Sequence, residues 1–368
     1  MENIQGLFGL ENKILGKGSF GTVYLGTDIS KDRLVALKKI PLSIIRDPQN
    51  LQLLSNEILI SAGVQSENLV KIIDIAEINN EKYIAYEYCN GGDLRRYIQF
   101  FKRFDEKLVQ YCMTQILRGL NELHSKGIVH HDLKPENVLV ELFPMDKKNK
   151  ISLEEKKSYE KIIDEILELT DKNKINNNID NINRGFVLKS LLQSRIKLSD
   201  FGLSKFKGDN NQKMLSGSPL YMDPNVFIPN VPISVVENEK VDIWALGIFA
   251  YELFFGYRPF DPRFQTLPEL IKVLQNGKYV INLYQCGKIS KQFLSFLNMC
   301  LQRPQNIRSN STELLFSEFI TRDTSKFDYI DLNNINRIRF PNYTYITNNG
   351  QIIMSIDDQK SVYITFNY

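Results

Sequence analysis

Four short clusters hold residue types that could carry out chemistry on phosphate: Gly16-Lys17-Gly18-Ser19-Phe20-Gly21, Lys38, His130-His131-Asp132-Leu133-Lys134-Pro135-Glu136-Asn137, and Asp200-Phe201-Gly202. Glycines let a backbone approach phosphate oxygens closely. A lysine offers them a compact positive charge. A loop carboxylate can orient a hydroxyl and take its proton, and hard oxygen donors hold Mg²⁺. Each cluster alone has an ordinary reading. In this order within one chain, they are the parts that transfer of the ATP γ-phosphoryl group requires.

Gly16-x-Gly18-x-x-Gly21-x-Val23 also occurs in dinucleotide-binding turns, where a helix follows at once. Here Val23-Tyr24-Leu25-Gly26 continues as strand, which predicts a hairpin laid over phosphates. Lys38 ends the run Val35-Ala36-Leu37 on the next strand, within reach of the α- and β-phosphates. Its expected carboxylate partner is Glu57, mid-way along a helix over 51–62; Glu67 lies too near that helix's end. Asp132 is the candidate base, Lys134 carries charge suited to the transferring phosphoryl group, and Asn137 can bind Mg²⁺ through its amide oxygen. Asp200, after the strand-like Ile196-Lys197-Leu198-Ser199, is the second metal ligand and should sit opposite Asn137.

The elements that must position these residues divide the chain. Residues 10–40 read as strand, glycine turn, strand, strand, and Tyr83–Tyr88 as a buried strand. Asn90-Gly91-Gly92-Asp93 reads as a flexible joint. Helical spacing then dominates over Glu106–Lys126 and over Val241–Phe255, which surrounds the single Trp244. Residues 141–194 interrupt the pattern; a capping box at Ser152 predicts a helix over 152–170, followed by an Asn-rich stretch with little to bury. The last residues are β-rich at 343–346, 351–356 and 361–366, a sheet too small to stand alone, which should pack on the main domain.

Composition narrows the classes. The 368 residues allow one large or two modest domains, and a formal net charge of +3 argues neither for nor against a basic nucleic-acid partner; none is expected. No apolar run is long enough to span a membrane. Met1-Glu2-Asn3-Ile4-Gln5 shows neither a secretory signal nor a myristoylation glycine. Cys89, Cys112, Cys286 and Cys300 form no C-x-x-C pair and read as free thiols of a reducing compartment. Cytoplasmic localisation follows, with the nucleus left open.

Over residues 8–320 these motifs resemble the eukaryotic protein kinase family, and Asp132-Leu133-Lys134-Pro135-Glu136-Asn137 resembles its serine/threonine branch. Glu87–Leu94, Leu123–Ile128 and Gly217–Met222 are similar in wording to the autophagy-initiating kinases, with parts shared by calcium-regulated ones. The resemblance implies an α+β, two-lobed fold: a small β-rich N-lobe (8–89) and a large helical C-lobe (90–320), with an insertion at 141–194 and a β-rich tail at 321–368. It implies ATP and Mg²⁺, and a protein substrate bearing a serine or threonine. Tyr86 would stand at the gatekeeper position beside the adenine pocket. Glu87 and Cys89 would offer backbone groups to adenine, Val23, Ala36 and Leu139 would sandwich the ring, and Asp93 would contact ribose. Asp242 would brace the catalytic loop and Ser218 would lie beside Asp132 and Lys134. Glu136 and Asp93 would favour a basic residue ahead of the phosphosite.

Three departures from the family pattern matter. His131 replaces the usual Arg that meets a phosphate on the activation segment, which predicts activity with little dependence on phosphorylation there. Asp223-Pro224-Asn225 replaces Ala-Pro-Glu, so the buried Arg308 should find another carboxylate, or water. The long link between Asn137 and Asp200 places the insertion between two strands, away from the phosphates. A regulatory partner could bind the insertion or the tail. The alternative class is a nucleotide-binding scaffold of the pseudokinase type.

Overall fold

The computed structural model describes residues 2–18, 20–142, 184–207, 217–227, 232, 234, 238–259, 268–269, 271–272, 278–282, 288–302, 304–331, 337–340, 343–346, 352–355 and 365–367. Chain order begins β1 (Glu2–Ile4), β2 (Phe8–Lys17), β3 (Thr22–Asp28), β4 (Arg33–Pro41), α1 (Pro48–Gly63), β5 (Ile72–Ile78), β6 (Glu81–Glu87), α2 (Leu94–Phe101). It continues α3 (Glu106–Ser125), β7 (Ile128–Val129), β8 (Val138–Glu141), α4 (Arg184–Leu191), β9 (Arg195–Leu198), β10 (Lys205–Phe206), α5 (Lys240–Phe255), β11 (Lys278–Asn282) and β12 (Lys288–Ser290). It closes with α6 (Lys291–Cys300), α7 (Ser311–Leu315), α8 (Glu318–Thr321), β13 (Tyr329–Asp331), β14 (Arg337–Phe340), β15 (Tyr343–Ile346), β16 (Ile352–Ser355) and β17 (Thr365–Asn367). Two compact units emerge: residues 1–100 with 136–204, and residues 101–135 with 205–368.

In the first unit, strand periodicity sorts side chains between two faces. The six-stranded sheet has the order β1-β2-β3-β4-β6-β5, and β4 pairs antiparallel with β6 so that Ala36 opposes Tyr86 and Lys38 opposes Ile84. Val35, Leu37, Tyr83 and Ala85 pack with Ile4, Phe8 and Leu10 on one face. Ile40 and Ile84 face the other way and pack with Leu54 of α1. Burying each such side chain contributes about 1.5–3 kcal/mol. The residues between them on that second face, Lys38 and Tyr86, are thereby aimed at the helix. Asp47 caps α1 by accepting from the amides of Gln49 and Asn50, and Pro48 opens it.

The 90–93 segment is not a free joint. Gly91 N–H donates to Val140 C=O (2.8 Å), Val140 N–H donates to Gly92 C=O (2.8 Å), and the Asn90 side chain accepts from Leu142 N–H (2.8 Å). An extended segment leaves its amides and carbonyls open, and β8 satisfies them. β8 pairs with β9 from Val138↔Leu198 to Glu141↔Arg195. The chain therefore leaves the hairpin at the Glu141 end, roughly 13 Å along the strand from Asn137. The expected 152–170 helix lies outside the described residues. The described end of this segment, α4, is tied to α2: the Arg184 guanidinium donates to Phe100 C=O (3.0 Å) and lies over its ring.

The second unit is helical. Asp105 caps α3, whose Leu108, Val109, Cys112, Met113, Ile116, Leu117, Leu120 and Leu123 are buried at helical spacing. Every residue from Val241 to Phe255 in α5 is buried, and Gly256 ends that helix in the left-handed region. The β-rich end does not form a sheet from its own strands alone. β14 pairs with β15, but β16 and β17 both pair with β11, and β13 pairs with β12. The edges of β11 and β12 supply partners that a short tail lacks. Among the described residues no helix is long and apolar enough to cross a membrane.

Candidate active site

The first unit gathers the residues expected to face phosphate. Lys38 Nζ donates to both carboxylate oxygens of Glu57, each at 2.8 Å, with the side chains only 8% and 4% exposed. The Phe20 ring lies 5.6 Å from the same ammonium. Tyr86 Oη also donates to Glu57 Oε1, at 2.6 Å. Asp200 has left-handed backbone (φ 63°), is exposed, and accepts no side-chain hydrogen bond among the described residues. Asn137 C=O accepts from Ser199 N–H (2.9 Å) and from its Oγ (3.0 Å), so Asn137 and Asp200 stand at the same end of the β8–β9 pair.

The hairpin glycines differ in what demands them. A Cβ on Gly21 would come 2.0 Å from the Lys39 carbonyl oxygen, whereas one on Gly16 would meet nothing within 4 Å and one on Gly18 nothing nearer than 3.7 Å. Gly21 is thus required by the fold, whereas the space beside Gly16 and Gly18 is open to a visitor. Gly21→Ala should therefore lower the melting temperature, whereas Gly18→Ala should leave it unchanged and raise KM for ATP. Thermal melts and ATP titrations separate the two.

At the joint, Val35 opposes Glu87, and the Glu87 carboxylate is anchored by Lys197 Nζ (2.6 Å) and by Lys71 N–H (2.8 Å). Cys89 is buried, and burial pushes its thiol well above the ordinary range. Val23 pairs with Lys38 across the sheet, and Asp93 is bridged to Leu139. Asp93 and Glu136 are not idle carboxylates awaiting a basic peptide. Asp93 accepts from Arg96 Nε (2.9 Å) and caps α2 through Arg96 N–H (3.2 Å), while Glu136 accepts from Arg95 Nε (2.8 Å).

The second unit holds the candidate base. Lys134 Nζ donates to Asp132 Oδ2 (2.6 Å) and to Ser218 Oγ (2.9 Å), and Ser218 Oγ donates to Asp132 Oδ1 (3.0 Å). The loop beneath is clamped by buried Asp242, which accepts from His130 N–H (2.7 Å), His131 N–H (2.9 Å) and the His124 ring (2.9 Å). Burial works to raise the Asp242 pKa, but the His124 hydrogen bond and the neighbouring imidazoles outweigh it and hold it at about 2. Gly217 has φ +119°, and a Cβ there would sit 2.7 Å from His131 C=O, so only glycine brings Ser218 this close.

His131 is neutral. Burial drives its pKa down to about 4 against the pull of Asp242, and its Nε2 is buried with no hydrogen-bond partner among the described residues. The folded group titrates near 4 and the unfolded imidazole near 6.5, so only the unfolded state takes up a proton between those values. Stability present above pH 6.5 should be lost as pH falls towards 4, by on the order of 3 kcal/mol. Asp242 adds its own loss only below 3.8. Urea midpoints measured from pH 7 to 5 should fall in the wild type and less steeply in His131→Gln.

Arg308 finds its carboxylate in Asp223. Arg308 Nη1 donates to Asp223 Oδ2 (2.5 Å) and Lys240 C=O (2.6 Å), its Nε donates to Gln302 C=O (2.7 Å), and both charged side chains are fully buried. Asn225, at the position of the family's Glu, instead donates its N–H to Asp223 Oδ1 (2.8 Å).

The protein kinase domain model matches residues 10–320. The chain belongs to the protein kinase family. A serine/threonine-protein kinase of Acanthamoeba polyphaga mimivirus, R517/R518, is 31% identical over 325 residues, covering 85% of this chain and 63% of its own length. Human calcium/calmodulin-dependent protein kinase type 1B is 28% identical over 324 residues, covering 88% and 78% respectively. The Caenorhabditis elegans serine/threonine-protein kinase unc-51 is 31% identical over 275 residues, covering 73% of this chain and 26% of its own. The chain thus spans less than two thirds of the viral relative and about a quarter of unc-51.

Kinases of the serine/threonine class move the γ-phosphoryl group of ATP to protein hydroxyls with Mg²⁺, and the fold here is the family's α+β, two-lobed one. The residues present fit that pair of ligands. Among the described residues no group of three or more His, Cys, Asp or Glu is placed to hold a metal ion. Mg²⁺ needs none, since it leans on one or two protein oxygens together with substrate phosphates. Exposed Asp200 and the open space beside Gly16 and Gly18 suit a metal-bound polyphosphate.

Three features escaped the sequence reading: the Tyr86 hydroxyl bond, the Lys197–Glu87 anchor and the identity of the Arg308 partner. For the last, a signal existed, because Asp223 is the carboxylate nearest in sequence to Asn225.

Proposed function

We propose that this chain phosphorylates serine or threonine hydroxyls of proteins through the residues its motifs single out. Asp132 orients the acceptor hydroxyl and takes its proton, and Lys134 neutralises charge on the transferring group. Lys38 pairs with the α- and β-phosphates while Glu57 holds it. Asn137 and Asp200 would hold Mg²⁺, which supplies charge neutralisation between β- and γ-oxygens. Gly16, Gly18 and Gly21 cover the phosphates. Val23, Ala36 and Leu139 flank adenine, Glu87 and Cys89 give it backbone partners, and Asp93 faces ribose. The observation that carries this reading is the hydrogen-bonded triangle that buried Asp132 makes with half-buried Lys134 and Ser218, on a loop clamped by Asp242.

The kinase domain is taken as 8–320, with lobes at 8–89 and 90–320, the insertion at 141–194 and the tail at 321–368. The insertion or tail is the place for a regulatory partner, since neither contributes a residue to the chemistry. Buried free thiols at Cys89, Cys112 and Cys300 favour the cytoplasm. Transfer of label from γ-labelled ATP to a peptide array tests the activity. Wild type should label serine or threonine peptides and Asp132→Ala should not; a wild type that binds Mg-ATP without transferring would be a scaffold instead.

A neutral His131 cannot form the charge-assisted bond that an arginine gives a phosphate. Phosphatase treatment should therefore leave activity within about twofold of the untreated enzyme. A near-complete loss would show that His131 is bypassed by another anion-binding group.

A further inference from the structure

Register puts two hydrogen-bond donors on one face of the sheet. Lys38 opposes Ile84 on β6, and Tyr86 opposes Ala36 on β4. Because side chains alternate, Lys38 and Tyr86 are diagonal neighbours on the face that packs against α1. Both reach the same carboxylate. Glu57 Oε1 accepts from Lys38 Nζ (2.8 Å) and from Tyr86 Oη (2.6 Å), while Oε2 accepts from Lys38 (2.8 Å). We infer that Tyr86 is a positioning residue: its hydroxyl fixes Glu57, and through it α1 and the Lys38 ammonium, from β6, the strand next to the one that carries Lys38.

The physical case has three parts. First, a single lysine leaves a glutamate at the end of a flexible arm; a second donor from a separate strand defines the carboxylate in two directions. Second, the tyrosine stays a donor. Burial first, then the charge of Glu57 and its hydrogen bond, push the phenol well above its ordinary range. Third, an ammonium that serves Glu57 and phosphate together cannot keep both carboxylate oxygens equally. Tyr86 leaves Oε1 with a partner of its own, so the buried carboxylate is not stranded. Phe20, 7% exposed, closes the site beside the ammonium. The consequence is a Lys38–Glu57 pair preassembled by the sheet itself, in keeping with a neutral His131 that offers no phosphate clamp.

This inference rests on the proposed role of the Lys38–Glu57 pair, so the test includes both residues. Tyr86→Phe removes one oxygen and keeps the ring; Tyr86→Met keeps apolar volume and serves if the first variant folds poorly. The readouts are steady-state kinetics and hydrogen exchange of α1 amides in the nucleotide-free protein. Tyr86→Phe should lower kcat roughly tenfold, the scale of one charge-assisted hydrogen bond, and should speed exchange across residues 51–63. The double variant with Glu57→Gln should be no slower than Glu57→Gln alone, because the hydroxyl acts through that carboxylate. Unchanged kcat, unchanged exchange, or additive losses in the double variant would each overturn the inference while leaving the pair's role intact. Glu57→Gln with wild-type kcat would instead overturn the pair's role itself.

Discussion

Asp132→Asn should phosphorylate substrate roughly a thousandfold more slowly than wild type, with kcat and kcat/KM falling together. The amide has the shape of the carboxylate and can still accept from Lys134, which bonds Asp132 at 2.6 Å, so the loop should keep its conformation. What disappears is the negative charge that orients a hydroxyl and draws off its proton. Affinity for Mg-ATP should change by less than about threefold, because phosphate pairing is assigned to Lys38 and metal binding to Asn137 and Asp200. Single-turnover transfer from labelled ATP, with nucleotide binding measured separately, checks both halves. A variant that keeps a tenth of wild-type kcat would remove Asp132 from the role of base.

Asp223→Ala should destabilise the protein by about 3–5 kcal/mol, because it leaves a buried guanidinium without its counter-charge. Arg308 and Asp223 are both fully buried, and the carbonyls of Lys240 and Gln302, which also accept from Arg308, are neutral. Replacing the whole pair, as Asp223→Asn with Arg308→Met, should recover most of that loss, since apolar volume in place of a buried ion pair is often neutral. Urea denaturation of wild type, single and double variants decides it. Equal losses in the single and double variants would mean that packing around Trp244, 5.1 Å from the Arg308 guanidinium, matters more than charge.

Much of the fold was open to reading because strong periodicity and strong punctuation coincide. Helix α3 was expected over 106–126 and spans Glu106–Ser125, and the buried helix around Trp244 was expected over 241–255 and spans Lys240–Phe255. Both are long, and apolar spacing over several turns leaves little freedom. The strands after residue 320 were harder. Sequence marks 343–346 as β-rich, but it cannot show that 352–355 and 365–367 take their partner from 278–282, because strand pairing is a long-range choice. The 90–93 segment misled for the opposite reason: two glycines suggest freedom, yet β8 occupies their backbone groups.

Within the candidate site, residue type and order along the chain were enough to propose Lys38, Glu57, Asp132, Lys134, Asn137 and Asp200 as candidates, since charge and donor chemistry travel with the residue. Partners were another matter. Asp223 lies 85 residues from Arg308, Tyr86 lies 29 from Glu57 and Lys197 lies 110 from Glu87, and nothing local links the members of any pair. The amino-acid string by itself determined which chemistry is on hand and on which kinds of element it rides. Only the tertiary structure decided which donor meets which acceptor, because that depends on strand register and helix packing, and both are settled by burying apolar faces far apart in the chain.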